Sequence, residues 1–569
     1  MKNRASTHLL LILLIIGFEV VGYVAVFESA RLRGYEPSFV GAARDLLLYV
    51  PLVALLFWLS RVMRFKGSWA LYTTAVLLFS VGMLVQYRLY SDPEYGSGNK
   101  AQARAEKTQV QRVRYIQQNY DAEKKRLMGL EATAPQPDAT PQVTTRSEVT
   151  VGRALTSTFT WIPIFAFLAM AGAYYFCVQD RHLAWLQRHS FVIVLATLIP
   201  LAAAVFWSSA GKFLGDMTPW EPSKIPFLVG FAGILTAHYR ELARTYWGMP
   251  RARNVVPLLI MGMIPFIPFF ALKDFGQMLV FSGAYATLYL VAVRRWPQLF
   301  VFVGSLVVVV AVLVVGALPR EVQEKVPTLA TAAAPVRAVL PDRIKQRFHL
   351  WLDGFNPPDP DVSWWKKDYD EALASNARMR QMAEESPAMQ KSVNVDVWFD
   401  RAAFQPAQAT FGIAAGGVSG RGLGLGFAEV IPVADSDYIY AAIGEELGLF
   451  GGAVVFLALI VFVNAGVRTS IESRDMFTKL CAAGLTAFIG FQALVNIGGT
   501  TRALPMTGIT LPFVSHGGFS LITSFAMLGM LLAFSHRNAV DAEGIRPRVG
   551  PRVVNRGEAG QIRVPEAVQ

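Results

Sequence analysis

The chain has 569 residues, of which 53% are hydrophobic and only 17% charged, and its formal net charge is +12. A mean hydropathy of +0.38 excludes an ordinary soluble globular protein and points to a polytopic membrane protein. The two cysteines, Cys177 and Cys481, fall at or in apolar stretches and suggest neither a disulfide framework nor a metal site.

Stretches long enough to cross the hydrocarbon core, each roughly 20 residues, stand at about 8–28, 42–62, 68–90, 155–177, 190–209, 222–240, 254–272, 276–293, 297–318, 436–466, 480–499 and 512–535. The expected fold is therefore all-α, a polytopic helical bundle of about twelve spans with large extracytoplasmic loops. The first stretch follows "MKNRASTH" without a small-residue cleavage site and is expected to be a retained span. Basic residues collect in alternate short loops: Arg61, Arg64 and Lys66, then Arg181 and Arg188, then Arg240, Arg244, Arg251 and Arg253, then Arg294 and Arg295, then Arg468 and Arg474. Both ends are thus expected in the cytoplasm. The basic tail 536–569 suits anionic lipid and requires no nucleic acid.

In chain order, residues 1–67 carry two spans, 68–90 a third, and 91–154 an extracytoplasmic amphipathic helix followed by a Pro/Thr/Gln-rich tether. A transmembrane core over 155–318 leads to a large outer loop over 319–435, and three last spans over 436–535 complete the bundle. Polar groups near spans have to be satisfied by protein or water, so they mark cavities. In "PWEPSKI", Pro222 opens a helix near the outer face among Glu221, Ser223 and Lys224, where a helix N-terminus favours an anion. "LKDFGQ" places Lys273 and Asp274 in a short outer turn, either paired with each other or facing a ligand. Asp437 stands at the mouth of a span whose Glu445 and Glu446 lie deeper, and Asp437, Ala441, Glu445 and Gly448 share a helical face. Two carboxylates at that depth line the bundle interior, where they meet an arginine or lysine of another span or a cationic ligand. "GGVSGRGLGLG" offers close backbone approach with Arg421 as its cation, as a re-entrant segment or as a floppy loop.

"GKFLGDMTPWEPSKI", "KDFGQ", "GGVSGRGLGLG", "VIPVADSDYIYAAIGEELG" and "NIGGTTRALPMTGITLPFVSHGGFS" together resemble the SEDS family, the FtsW/RodA/SpoVE group, in order and spacing. The likeness covers roughly 205–318 and 404–540. "VGMLVQYRL" is similar to the family's first span, which makes a SEDS core of about ten spans with two N-terminal spans added. The resemblance implies a peptidoglycan glycosyltransferase that polymerises lipid II at the outer face of the bacterial cytoplasmic membrane in elongation, division or sporulation. A lipid II flippase and an inactive cell-wall scaffold are the rival readings. It also implies a class B penicillin-binding transpeptidase as partner, beside other elongasome or divisome membrane proteins.

The family's catalytic aspartate matches Asp359 in "HLWLDGFNPPDPD". An insertion over 361–403 separates it from "FQPAQAT", the stretch that holds Gln408, and leaves Asp400 as a competitor and Asp353 as a weaker one. Lys224 and His516 depart from the family's usual glutamate and tyrosine. Lys212, Lys224, Arg421 and Arg502 are the cations expected to meet the departing pyrophosphate. Glu221, Ser223, Asp274, Gln408, Asp437, Glu445, Glu446, Ser515, His516 and Gly517 complete the expected substrate-binding set. No metal-ligand spacing is visible, and a divalent cation, Mg2+ or Mn2+, would only add to these groups. Partial burial or the lipid's pyrophosphate is expected to make Asp359 a stronger base. Trp364, Trp365 and Trp398 among the charges of the insertion are expected to be exposed anchors for the partner, or else to pack on their own loop.

Overall fold

The computed structural model describes residues 2–33, 37–92, 95, 151–207, 220–243, 245–246, 249–250, 269, 274–293 and 342–544. Apolar runs in lipid can satisfy their own backbone only as helices, and helices dominate. The first half holds α1 (Lys2–Leu32), α2 (Phe39–Leu47), α3 (Tyr49–Phe57), α4 (Trp69–Ser91), α5 (Val151–Thr156), α6 (Thr158–Val178), α7 (Asp180–Arg188), α8 (Ser190–Trp207), α9 (Trp220–Ala243) and α10 (Phe275–Val293). In the second half come α11 (Asp342–Leu352), α12 (Ser363–Ser375), α13 (Ala377–Glu385), α14 (Pro387–Arg401), α15 (Phe404–Gly416), α16 (Ile439–Glu472), α17 (Met476–Thr500) and α18 (Gly518–Ala542). Thr245–Tyr246 and Met249–Pro250 form a two-residue antiparallel pair, Thr245 opposite Pro250.

Among the described residues, eight helices are long and apolar enough to cross a membrane, and a ninth results if α7 and α8, bent by 71° at their junction, make one span. The chain is thus an all-α, multi-pass membrane bundle. Of the twelve expected spans, that at 297–318 and all of that at 254–272 but Phe269 lie outside the described residues, as does nearly all of the expected helix and tether over 91–154. The expected span at 222–240 is α9, whose first turn carries Glu221 and Lys224. Within the bundle, α18 lies along α6, α17 along α10 and α16, and α4 between α1 and α16. Nearly every side chain of α4 from Leu71 onward is buried, as expected for a helix that is apolar all round.

The helix α16 is not the continuous span that the sequence suggests. Gly448 has φ 66° and ψ −164°, a region essentially reserved for glycine, and the helix breaks there. An unbroken helix would bond the amides of Leu449 and Phe450 to the carbonyls of Glu445 and Glu446. Instead Leu449 N donates to Gly417 O at 3.0 Å and Phe450 N to Val418 O at 3.3 Å. The freed carbonyls of Glu445 and Glu446 accept from Arg421 N at 3.0 Å and Gly422 N at 2.9 Å. The Gly-rich segment is therefore inserted into the break as an ordered partner, and the floppy-loop alternative is set aside.

The insertion over 361–403 is α12, α13 and α14, joined by short capped turns. Asn376 accepts from the amides of Arg378 and Met379, and Ser386 from that of Met389. Trp365 and Trp398 are fully buried, edge to face at 4.9 Å between centroids, and Trp364 is half-buried. Of the two roles the sequence leaves open for these tryptophans, the structure matches packing within the insertion, where they form this small unit's core with Tyr369, Val393 and Val397. A polar insertion of this size has few other apolar groups to bury, so its aromatic residues turn inward.

Replacing Gly448 with alanine forces a side chain into a positive-φ position and into the backbone nitrogen of Gly420. The expected cost is about 2 kcal/mol or more, read as a lower melting temperature of the detergent-solubilised chain. An unchanged melting temperature would contradict the break.

Candidate functional site

The carboxylates of Glu445 and Glu446 meet protein groups. Arg88, in the last turn of α4, is fully buried. Its Nε lies 2.6 Å from Glu446 Oε1, its Nη1 3.0 Å from Asp92 Oδ2 and its Nη2 2.7 Å from Glu429 Oε2. Arg33, just past α1, adds a second cation 3.1 Å from Glu429 and 3.3 Å from Asp92, and it also donates to Gly426 O. Glu446 accepts from Gly424 N at 3.2 Å and Glu445 from Phe427 N at 2.8 Å. Of the two roles the sequence leaves open, this geometry matches pairing with an arginine of another span. Arg88 and Arg33 escaped the sequence analysis, yet an arginine inside an apolar span is a signal that finds Arg88.

A second cluster joins α9, α10 and α17. Lys224 Nζ sits 2.5 Å from Glu221 Oε2 and 3.0 Å from Gln492 Oε1, over the ring of Phe488 at 5.2 Å. Gln277 donates to the other Glu221 oxygen at 3.3 Å, and Ser223 is buried beside them. Gln492 continues the network to Thr510 O at 3.0 Å and Ser520 Oγ at 3.3 Å. Lys224 is thus a buried, neutralised cation, because one turn of helix separates it from Glu221. Asp274 caps α10, its Oδ1 accepting from Gln277 N at 3.2 Å. Burial pushes its carboxyl up to about 6. Lys273, its expected neighbour, and Lys212 lie outside the described residues.

The polar start of the last span is a folded turn, and α18 begins only at Gly518. Ser515 Oγ donates to Ser436 O at 2.6 Å and accepts from Leu511 N at 2.8 Å. His516 N donates to Asp435 O at 3.0 Å, and Gln86 Nε2 from α4 donates to Val514 O at 2.8 Å. The imidazole of His516 stacks on Phe159 at 4.0 Å. Burial lowers its pKa to about 4, so it is neutral at pH 7. Gly517 is the N-cap of α18.

A pocket of about 390 Å³ lies where α11, the junction of α14 and α15, the mouth of α16 and the 499–508 loop converge. Arg347, Arg401, Arg502, Gln405, Trp351 and Asp437 supply its chemistry. Arg502 donates to Leu350 O at 3.0 Å at the carbonyl end of α11 and lies over the Phe355 ring at 4.5 Å. Arg347 donates to Thr507 O at 3.0 Å. Burial raises the Asp437 carboxyl to about 6 against the pull of Arg347, with Asp435 and Asp274 adding to the rise. Three guanidinium groups around one pocket suit an anion with several oxygens. Among the described residues, Arg502 is the one expected cation that lines it. Arg421 is exposed, its Nε donating to Ala415 O at 3.2 Å.

Asp359 follows α11 in a proline-bounded turn and is exposed, so the partial burial expected of it is not present. Its Oδ1 accepts from Asp361 N at 2.9 Å, and its carbonyl accepts from Val362 N at 3.0 Å. Neither Asp359 nor Asp400 lines the pocket, although Arg401, next to Asp400, does. Asp353 is exposed, 3.5 Å from His349 Nδ1. Gln408 is buried on α15. Among the described residues, no group of three or more His, Cys, Asp or Glu is arranged to hold a metal ion. A separate groove of about 970 Å³ between α10, α16 and α17 is lined mainly by apolar side chains such as Phe456, Leu459 and Leu494, which suits hydrocarbon.

Residues 389–539 match the family model FTSW_RODA_SPOVE, described as a cell cycle protein. The peptidoglycan glycosyltransferase RodA of Mycobacterium tuberculosis is 29% identical over 369 residues, 62% of this chain and 64% of that one. A probable peptidoglycan glycosyltransferase FtsW of Geobacter metallireducens is 40% identical over 136 residues, 24% of this chain and 36% of its own. The chain therefore spans just under two thirds of the length of the RodA relative. A solved chain from work on the coordination of polymerization and crosslinking by a peptidoglycan synthase complex is 19% identical, with a TM-score of 0.43 over 67% of this chain and 88% of that one.

The raised carboxyl of Asp437 gives a pH prediction. With its pKa moved from 3.8 to about 6, the folded chain keeps a proton that the unfolded chain releases. This group's contribution is then most favourable below about pH 4 and is lost as pH rises through 6. Asp437→Asn should therefore be the more stable at pH 7, by about 1–2 kcal/mol after allowance for partial exposure. The two melting curves should converge near pH 4, and a constant offset from pH 4 to 8 would contradict the assignment.

Proposed function

We propose that the chain belongs to the FtsW/RodA/SpoVE family and is a peptidoglycan glycosyltransferase polymerising lipid II at the outer face of the bacterial cytoplasmic membrane. The observation that carries this proposal is the arginine-lined pocket at the mouth of α16, whose Arg502 lies over the ring of Phe355, four residues before Asp359. Arg347, Arg401 and Arg502 offer guanidinium groups to a pyrophosphate, and a leaving pyrophosphate is where negative charge grows during glycosyl transfer.

In this scheme Asp359 takes the proton from the acceptor sugar's 4-hydroxyl. The resulting oxygen attacks the donor's anomeric carbon, and the electron pair of the breaking C1–O bond leaves with undecaprenyl pyrophosphate. Asp359 is exposed in the free chain, so desolvation has to come from the sugar and lipid that cover it. Because the described residues offer no fitting metal donor set, no step is routed through Mg2+ or Mn2+. The paired state of Glu445 and Glu446 supports a structural role for them and weakens the flippase alternative, which needs them on a translocation path.

The excess of arginine in alternate short loops supports an orientation with both ends in the cytoplasm and the Asp359 turn outside. A class B penicillin-binding transpeptidase, with other elongasome or divisome membrane proteins, is the proposed partnership. The role is in elongation, division or sporulation.

Polymerisation of purified lipid II tests the base. Asp359→Ala should lose at least about a hundredfold in turnover while accumulating and melting like the parent chain. An active Asp359→Ala beside an inactive Asp400→Ala would move the base to the end of α14. Full activity of both variants would move the base elsewhere, to Asp353 first, whereas a parent chain that polymerises no lipid II would favour the flippase or the scaffold.

A further inference from the structure

The insertion α12–α14 does more than pack on itself, because one of its side chains reaches the turn that carries Asp359. Within 357–360, "PPDP", three residues are proline and have no N–H, so the turn offers few amide donors and can be gripped mainly through its carbonyls. Two side chains do so. His349 Nε2 lies 3.0 Å from Asn356 O, and Asn394 Nδ2 donates to Pro358 O at 2.7 Å.

Asn394 is only 3% exposed, and its other amide atom is committed as well, since Oδ1 accepts from Trp365 Nε1 at 2.8 Å. An indole N–H only donates and a prolyl carbonyl only accepts, so the two partners fix the orientation of the amide without ambiguity. Trp365 is held edge to face against Trp398, and Trp398 in turn against His349 of α11 at 5.4 Å. The insertion core, Asn394, the Pro358 carbonyl and α11 thus close into one ring of contacts around the turn.

We infer that Asn394 is a positioning residue that fixes the Asp359 carboxylate through the carbonyl of Pro358, and that the insertion serves as the clamp's frame. This rests on the assignment of Asp359 as the base. The carboxylate itself is exposed and touches no group of the insertion core. A rigid turn is what keeps such a base at one distance from the acceptor hydroxyl. Sequence spacing hides the relation, because Asn394 lies 36 residues beyond Pro358.

The test uses the full-length chain in detergent or nanodiscs, with lipid II as substrate and a nitroxide on Asp361→Cys. Cys177 and Cys481 are both buried, so the label goes to one site. Asn394→Asp keeps the acceptor for Trp365 but sets a carboxylate oxygen against the Pro358 carbonyl. The expected result is at least a tenfold loss in kcat with KM for lipid II within twofold, and a more mobile nitroxide. A purely structural role would lower the amount of folded chain and leave the kcat of the folded fraction unchanged. Wild-type kcat or an unchanged nitroxide spectrum overturns the inference. Should Asn394→Asp fail to accumulate, Trp365→Phe removes only the indole N–H: a threefold or larger fall in kcat supports the clamp, and no fall overturns it. Full turnover by Asp359→Ala beside a mobilised turn would locate the failure in the base assignment.

Discussion

The structure depends on a backbone exchange at Gly448. Breaking a helix inside a membrane bundle frees amides and carbonyls that lipid cannot satisfy. Here the amides of Leu449 and Phe450 and the carbonyls of Glu445 and Glu446 all find partners in residues 417–422. Four of the five residues of "GEELG" then have a physical reason. Gly444 lets Ile413 of α15 approach, Glu445 receives the Phe427 amide, Glu446 receives Arg88 and the Gly424 amide, and Gly448 makes the break. The charges follow from the same constraint, because a buried guanidinium requires carboxylates and the packed glycines bring Glu446, Glu429 and Asp92 to one point. Arg33 extends that cluster to the end of α1, so the first span is tied to the Gly-rich segment.

With that segment fixed, the mouth of α16 and the turn before α18 are fixed too. Asn496 donates to the carbonyls of Asp437 and Ile509, and Ser515 to that of Ser436, which holds one wall of the arginine pocket. The opposite wall comes from α11 and the end of the insertion, joined to the loop by Arg347 and Arg502. Charge is divided by depth: Arg88 and Lys224 are spent on buried internal pairs, while Arg347, Arg502 and Arg401, the last in an exposed pair with Glu371 at 3.6 Å, border a pocket that an anion can enter. This division underlies the proposed activity, since cations already neutralised in the core have little left to offer a pyrophosphate.

The all-α bundle was legible because apolar runs of membrane length leave few alternatives. The same logic located the polar start of the last span, which forms a turn before α18. The sequence also indicated that Glu445 and Glu446 face the interior, but their partner needed tertiary information, since Arg88 is 358 residues from Glu446. The break at Gly448 was missed because a glycine in an apolar helical pattern reads as tolerated packing until its φ is known. The sequence left the insertion's tryptophans between two roles because aromatics among charges look the same whether they anchor a partner or fill a small core. Arg347 and Arg401 passed unnoticed because neither belongs to a recognisable motif, and the fold alone brings them beside Arg502.

Amide hydrogen exchange of the full-length chain in nanodiscs is the most direct measurement of the backbone exchange at Gly448. Residues 417–426 carry no regular helix or strand and would ordinarily exchange as a loop. The amides of Arg421, Gly422, Leu449 and Phe450 are predicted to exchange slowly and as one group, at the rate of the α16 core. Fast, loop-like exchange of Arg421 and Gly422 beside a protected α16 would contradict the account.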